Sequence, residues 1–297
     1  MKADVIEKLG GSTIQHGKYN DRIYLMKLAS CDAPAAPKCL VAMARDKGYS
    51  KVFAKVPATA RSLFAKAGYD VEARVPGFYD GRTPALFLSR FLVKHRRRST
   101  SVERNRRVMA ACEVRASEKT DLRLPGGFVC RQCRETDVGS MADLYGEVFP
   151  TYPFPIHDRG YIRQTMRTHV IYFGIWRGGR LVALSSAEMD PSARNVEMTD
   201  FATLPEYRGM GFATALLGRM ERPMARRNMA TAYTIARSRS FGMNIAFARM
   251  GYRMSGRLIN NTNIGGGFED MNVWHKPVTP RSDAADAPTL ATTAQAD

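Results

Sequence analysis

An α/β layer fold is predicted by three features of this 297-residue sequence. Strand-like and helix-like runs alternate through both halves of the chain, a pattern that builds a sheet covered by helices. A strand-like run, a turn with two glycines and an apolar helix-like run follow one another at 196–217. A stretch of the first half, at 63–75, returns in modified form at 246–258.

In the first half, "RIYLMKLA" reads as a strand and "PKCLVAMARDKG" as a helix stopped by Gly48. "KVFAKV" is a second strand. "ATARSLFAKAG" is a second helix, with Gly68 in the residue position that favours a left-handed backbone after a helix. "YDVEARV" and "ALFLSRFL" are further strands.

The second half begins near Leu124. "FVCRQC" is a strand, and "ETDVGSMADLYGEVF" and "YIRQTMRTH" are helices. "VIYFGIW", a Gly178–Gly179 turn and "LVALSSAEM" make a hairpin. "VEMTDFATL" runs into the glycine turn. The helix from Phe212 carries Leu216, Met220 and Met224 at a spacing of four, so one stripe faces a core. Pro223 is expected to kink or end it. "TAYTIA" is a strand, "MNIAFARM" a helix and "NVWHK" a last strand.

The repeat aligns Phe64, Ala65, Gly68, Tyr69 and Arg74 with Phe247, Ala248, Gly251, Tyr252 and Arg257. Each copy is the end of a helix, a glycine stop and a strand. Extended backwards, "YLMKLASCDAPAAPKCLVAM" lies where "EMTDFATLPEYRGMGFATALL" lies in the second copy, so the halves share one supersecondary plan.

Composition bounds the function. Apolar residues make up 44 % of the chain and charged residues 25 %, values of a globular protein. No run of apolar residues is long enough to cross a membrane as a helix. The opening "MKADVIEKLGGSTIQHG" has acids and no apolar leader core, so a cytoplasmic protein is expected. The net charge of +17 suits any anionic ligand. The basic run "KHRRRSTSVERNRR" at 94–107 lacks the interleaved aromatics of a single-strand binding surface. It reads as a solvated helix or linker, with no specific nucleic-acid partner. Five cysteines at scattered spacing argue against a disulfide framework, and the lone Cys130–Cys133 pair has no second pair for zinc. No metal is expected.

The turn carries the chemistry. The first amides of a helix have no partner within it and sit at the positive end of its dipole. Gly209 and Gly211 let a ligand approach the backbone, and Arg208 adds a permanent cation. The spacing Arg208-x-x-Gly211-x-Ala213 suits a pyrophosphate. A nucleotide P-loop is excluded, since no Gly-Lys-Ser/Thr follows, and a dinucleotide fingerprint lacks its third glycine and its acid.

R-x-x-G-x-A between a strand and a helix resembles the coenzyme A loop of GNAT-type N-acetyltransferases. The likeness covers 124–276 in element order, and includes the late "FARMGY". Over nearly the whole chain, "QHGKYNDRIYLMKL", "FAKVP", "PGFYDG", "VFPTYPFPIHD", "EMTDFATLPEYRGMG" and "NNTNIGGGFEDMNVWHK" resemble the β-lysine N-acetyltransferase family. The resemblance implies a mixed central sheet flanked by helices, preceded by a degenerate half-copy of the same fold. Together with the basic run and the small, polar, proline-containing stretch at the end, four segments are expected: a degenerate domain at 1–93, a basic linker or helix at 94–123, the acetyltransferase domain at 124–278 and a disordered tail at 279–297. It implies transfer of acetyl from acetyl-CoA to the distal amine of β-lysine, giving a compatible solute; the alternative acceptor is another amine, of a small molecule, a protein or RNA.

Site residues follow from the same resemblance. Arg208, Gly209, Met210, Gly211, Phe212, Ala213 and Thr214 are expected to hold the coenzyme's pyrophosphate, and the backbone of Ala202, Thr203 and Leu204 its pantetheine arm. Glu197 is the expected general base, with Asp200 as second acid; they reach one cleft only if the strand bulges between them. Asn244 is expected to reach the coenzyme. Phe247 is expected to contact the coenzyme as well, at the position where the family usually places a tyrosine to protonate the thiolate. Tyr152, Phe154, His157, Glu188 and Asp200 are acceptor-binding candidates, and "INNTNIGGG" at 259–267 is expected to close over the acceptor. In the first half "CDAPAAPK" replaces the glycine turn, and its prolines offer no amide hydrogens, so that half is expected not to bind coenzyme A.

Overall fold

The structure is a computed structural model and describes residues 4–264 and 266–278. The tail expected at 279–297 lies outside the described residues.

Local sequence explains the elements. Strand β4 (Lys51–Pro57) alternates with period two: Val52, Ala54 and Val56 face helices α1 (Ala36–Asp46) and α2 (Arg61–Lys66), while Phe53 faces the other way. Gly48 and Gly68 follow α1 and α2 with φ of 62° and 77°, which only glycine adopts without strain. Helix α5 (Arg159–Thr168) opens on Asp158, whose carboxylate accepts from the Tyr161 amide at 2.6 Å. Helix α6 (Phe212–Arg226) buries Leu216, Met220 and Met224, and it runs through Pro223 by a further turn rather than ending there. Helices α4 (Val138–Val148) and α7 (Phe241–Arg249) fall where the apolar spacing puts them.

Among the described residues all strands join one 13-stranded sheet. From one edge it runs through β1 (Val5–Leu9), β2 (Ser12–Gly17), β3 (Arg22–Lys27), β4, β6 (Thr83–Phe91) and β5 (Asp70–Tyr79). It continues through β12 (Arg253–Ile264), β13 (Gly267–Pro277), β11 (Thr231–Arg237), β10 (Asn195–Thr203), β9 (Arg180–Asp190), β8 (Val170–Arg177) and β7 (Phe128–Gln132). Strands β1 and β2 go beyond the sequence expectation, because their apolar alternation is masked by His16, Gln15 and surface charge.

The two halves repeat one topology. In the first, β3 runs parallel to β4, which pairs antiparallel with β6, and β6 with β5. In the second, β10 runs parallel to β11, which pairs antiparallel with β13, and β13 with β12. They meet where Ala73 of β5 pairs antiparallel with Gly256 of β12. These two residues also occupy equivalent places in the sequence repeat, so an approximate two-fold axis passes through this pair. Followed outward along the ladder, Phe87 corresponds to Val273, Lys55 to Ile235, Phe53 to Tyr233 and Tyr24 to Glu197.

The sheet curls so that the inner faces of its halves pack together. Tyr24, Phe53, Phe78 and Phe87 share one core with Tyr233, Leu258 and Val273, and the rings of Phe78 and Tyr233 are 4.8 Å apart. A second core lies under α1 and α2, and a third, the largest, between the second half of the sheet and α4 to α7.

The basic run is not a solvated linker throughout. A short turn at His95–Arg97 buries Arg96, whose guanidinium donates to Asn260 O and Asn20 O at 2.9 Å each and to Ser50 Oγ at 3.0 Å. Helix α3 (Val102–Arg115) then buries Asn105, Val108 and Cys112 and lies along α7. The amide-rich segment is likewise no lid. Residues 259–264 belong to β12, where Asn260 and Asn261 are buried and Asn260 donates to Arg96 O and Arg98 O. The Asn260 and Asn263 amides bind backbone of other elements instead of facing a ligand.

Candidate active site

Strand β10 sets the geometry. Val196 and Met198 point into the helix-covered core, so alternation turns Glu197 to the inner face, towards the first half. Glu197 lies directly across from Glu188 of β9 on one side and Tyr233 of β11 on the other. Beyond Glu197 the ladder to β11 stops: only Asn195, Val196 and Glu197 pair with that strand, while β9 continues to pair with Ala202 and Thr203. The end of β10 and the end of β11 therefore leave a wedge, with Ala202, Thr203 and Leu204 along one wall.

The pairing with β9 is irregular between Thr199 and Ala202, and Asp200 sits in this bulge with φ of 54°. The bulge resets the alternation and brings the Asp200 carboxylate into the electrostatic field of Glu197. Asp200 accepts from Tyr152 Oη at 2.5 Å and from Ser186 Oγ at 2.7 Å. Burial raises its pKa and these two hydrogen bonds oppose the rise. Its two oxygens are thus held from both sides.

Glu197 differs. Burial, and next the charge of Glu188, push its pKa up to about 7, while Lys55 and a hydrogen bond from Tyr233 pull the other way. It is a carboxyl poised near neutrality, which is what a general base for an ammonium acceptor requires. Glu188 is half-exposed and lies 3.7 Å from His169 Nε2, whose pKa it raises.

At the mouth of the wedge, a turn from Pro205 to Tyr207 leads through Arg208 to Gly209 and Gly211, with φ of 84° and 78°. Gly211 is the cap of α6, and no side chain caps that helix. A Cβ at either glycine would meet nothing within 4 Å. The left-handed backbone, rather than crowding by the protein, calls for glycine here. Among the described residues the amides from Gly209 to Thr214 have no backbone partner, and the next amide, of Ala215, bonds Gly211 O at 3.0 Å. Arg208 and Met210 are exposed beside them, and Phe212, Ala213 and Thr214 form the first turn, with the Phe212 ring packed on Phe128. This is a row of open donors with a guanidinium alongside, an arrangement that could hold a pyrophosphate. The wedge and the turn together could hold a coenzyme A along Leu204, Thr203 and Ala202.

Two expected coenzyme contacts are corrected. Asn244 is fully buried; it donates to Arg237 O and Ser240 O and accepts from Asn272 Nδ2 and Trp274 Nε1. Every polar atom is used to tie α7 to β11 and β13. Phe247 is also fully buried, edge-on to Tyr252 and Phe201, and offers no proton. Of the acceptor candidates, Tyr152 and Glu188 surround the carboxylates, Phe154 packs on the core of the second half, and His157 is exposed.

Sequence reasoning missed the first half's contribution. Lys55 Nζ reaches Tyr233 Oη at 3.3 Å and lies over the rings of Phe78 and Tyr233. Its burial works against its charge, but Tyr24, Glu197, Tyr79 and Glu188 around it raise its pKa overall. The signal was present as the one charged residue inside "VFAKVP", at an inward position of an apolar strand. Among the described residues no group of three His, Cys, Asp or Glu side chains could hold a metal ion, and no helix is long and apolar enough to cross a membrane.

Comparison with known proteins gives the family. The model of the acetyltransferase (GNAT) family matches residues 140–252, from α4 to the end of α7. The chain is 42 % identical over 271 residues to the beta-lysine N(6)-acetyltransferase of Methanococcus maripaludis, covering 91 % of this chain and 98 % of that one. It is 34 % identical to the enzyme of the same name from Methanosarcina mazei, over 79 % of this chain and 94 % of that one. It is also 34 % identical to N-acetyltransferase YodP of Bacillus subtilis, over 89 % of this chain and 95 % of that one. By these likenesses the chain belongs to the beta-lysine N6-acetyltransferase family of GNAT-type N-acetyltransferases.

Proposed function

We propose that this protein transfers the acetyl group of acetyl-CoA to the N6 amine of β-lysine. The observation that carries this reading is the position of Glu197, a carboxyl with a pKa of about 7 at the root of the wedge whose mouth is the glycine turn. Family membership supports the acceptor.

The acceptor's distal amine has an ordinary pKa near 10.4, so only about one molecule in 2,500 is free base at pH 7. Glu197 takes the proton through a water. The freed amine attacks the thioester carbonyl and a C–N bond forms; the nitrogen, now cationic, gives its second proton to water, the oxyanion collapses and the C–S bond breaks. A β10 amide polarises the carbonyl, and the thiolate leaves towards solvent, where it takes up a proton. Nothing covalent forms on the enzyme. Asp200, held by Tyr152 and Ser186, and Glu188 give the acceptor's ammonium groups an anionic wall. The product has lost one positive charge and is a neutral zwitterion, which suits a solute accumulated in the cytoplasm without disturbing ionic balance.

The test is release of free thiol from acetyl-CoA with β-lysine, α-lysine, ornithine and spermidine as competing acceptors. β-Lysine is expected to give the highest kcat/KM. A clear preference for α-lysine or spermidine overturns the acceptor assignment.

A further inference from the structure

β-Lysine carries a carboxylate as well as two ammonium groups, and the walls built by the second half around Glu197 are acidic and phenolic. The cation that faces them comes from the other half. Lys55 stands on the inner face of β4, beside Tyr233 and within the field of Glu197 and Glu188. It also lines a cavity of about 280 Å³ at the seam of the two halves, together with Lys27, Pro57, Phe78, Tyr79, Asp80 and Ser192. Glu188, Glu197 and Asp200 do not line it; Lys55 is the residue that it shares with the surroundings of Glu197. Lys27 lies 3.9 Å from Asp190, so one of the two lysines of this cavity already has a carboxylate partner. Lys55 has one hydrogen-bond partner among the described residues, a neutral hydroxyl at 3.3 Å, for three N–H donors. Its other N–H donors are without a partner among the described residues, and they can take a carboxylate.

We propose that Lys55 binds the carboxylate of the amino-acid acceptor, so that the half without a glycine turn reads the acid end of the substrate while the other half does the chemistry. This rests on the reading of the protein as an acetyltransferase of β-lysine. It makes Lys55 a specificity residue: it distinguishes a diamino acid from a plain diamine. The repeat shows why the residue is available for the task. Ile235 is its counterpart in the second half, an apolar strand residue.

The experiment measures KM and kcat of the wild type, Lys55→Met and Lys55→Arg with two acceptors, β-lysine and pentane-1,4-diamine, the same molecule without its carboxylate. A lost charge-assisted hydrogen bond is expected to raise KM for β-lysine about 10- to 100-fold more than for the diamine in Lys55→Met. Lys55→Arg is expected to recover most of the difference. A Lys55→Met enzyme that loses both acceptors to the same degree, or only in kcat, overturns the proposal and makes Lys55 a partner of Glu197. A wild type that acetylates the diamine but not β-lysine overturns the functional reading itself, and this inference with it.

Discussion

Tyr24 occupies in the first half the place that Glu197 occupies in the second. Each pairs, across a parallel ladder, with an equivalent aromatic residue, Phe53 or Tyr233. Position in the fold is therefore not what makes the site. One copy has a carboxyl beside an open wedge and a glycine turn, and the other has a phenol beside "CDAPAAPK".

Glu197→Gln is expected to lower kcat by about 100-fold or more at pH 7. The loss shrinks at pH 9, where more of the acceptor is already free base. In the wild type, kcat falls as pH drops through about 7, the value to which burial and Glu188 raise this carboxyl. A pH–rate profile that the variant leaves unchanged removes Glu197 as the base.

The same shift has a sign for stability. The folded-state value lies above the ordinary one near 4.3, so folding favours the protonated carboxyl. The stability it contributes is complete below pH of about 4 and is lost as pH rises through about 7. Thermal melts are expected to show Glu197→Gln raising Tm at pH 8, by about 2 °C or more, with no gain at pH 4.

Arg208→Ala removes an exposed guanidinium beside the open amides and is expected to raise KM for acetyl-CoA about ten-fold, with kcat nearly unchanged. Gly211→Ala places a Cβ on a backbone with φ of 78° in space the protein leaves open. It is expected to cost about 1 kcal/mol of stability in denaturant titration and to weaken the coenzyme besides. A gain in coenzyme affinity from either change contradicts the pyrophosphate site.

At the junction of the halves, a Cβ on Gly256 would lie 2.2 Å from Glu72 O and 2.6 Å from the Ala73 Cα. Backbone cannot yield as a flexible side chain can. Gly256→Ala is expected to destabilise by about 3 kcal/mol or more, seen in the denaturation midpoint, or to abolish soluble expression.

Arg96 joins three segments by donating to Asn20, Ser50 and Asn260 from a buried position. Arg96→Met leaves those acceptors unpaired and is expected to cost about 3 kcal/mol or more, against less than about 0.5 kcal/mol for Arg107→Met on the exposed side of α3. Urea titration of both variants separates a buried anchor from a solvated charge.

The sequence made the layered α/β plan, the glycine turn, the repeat and the family legible, because each rests on periodicity or on residues with special backbone needs. What stayed hidden depends on pairing over long distances. Glu72 is 187 residues from Ile259, yet its carboxylate accepts from the Ile259 amide at 2.7 Å. Arg96 looked like one more member of a charge run, because nothing local distinguishes a buried guanidinium from an exposed one. Asn244, Asn260 and Asn263 are the converse case. Their polarity suggested a ligand, and the partners they have are the backbone and side chains of other elements. Lys55 was visible as an oddity in an apolar strand, but only the curled sheet reveals what it faces.

A ladder that is continuous across the two-fold axis puts inside one polypeptide the arrangement a symmetric pair of subunits would make from two. Such a pair would offer two coenzyme sites related by symmetry. Here the symmetry is broken in the sequence, so calorimetric titration is expected to give one equivalent of coenzyme A per chain, and saturation without interaction between sites.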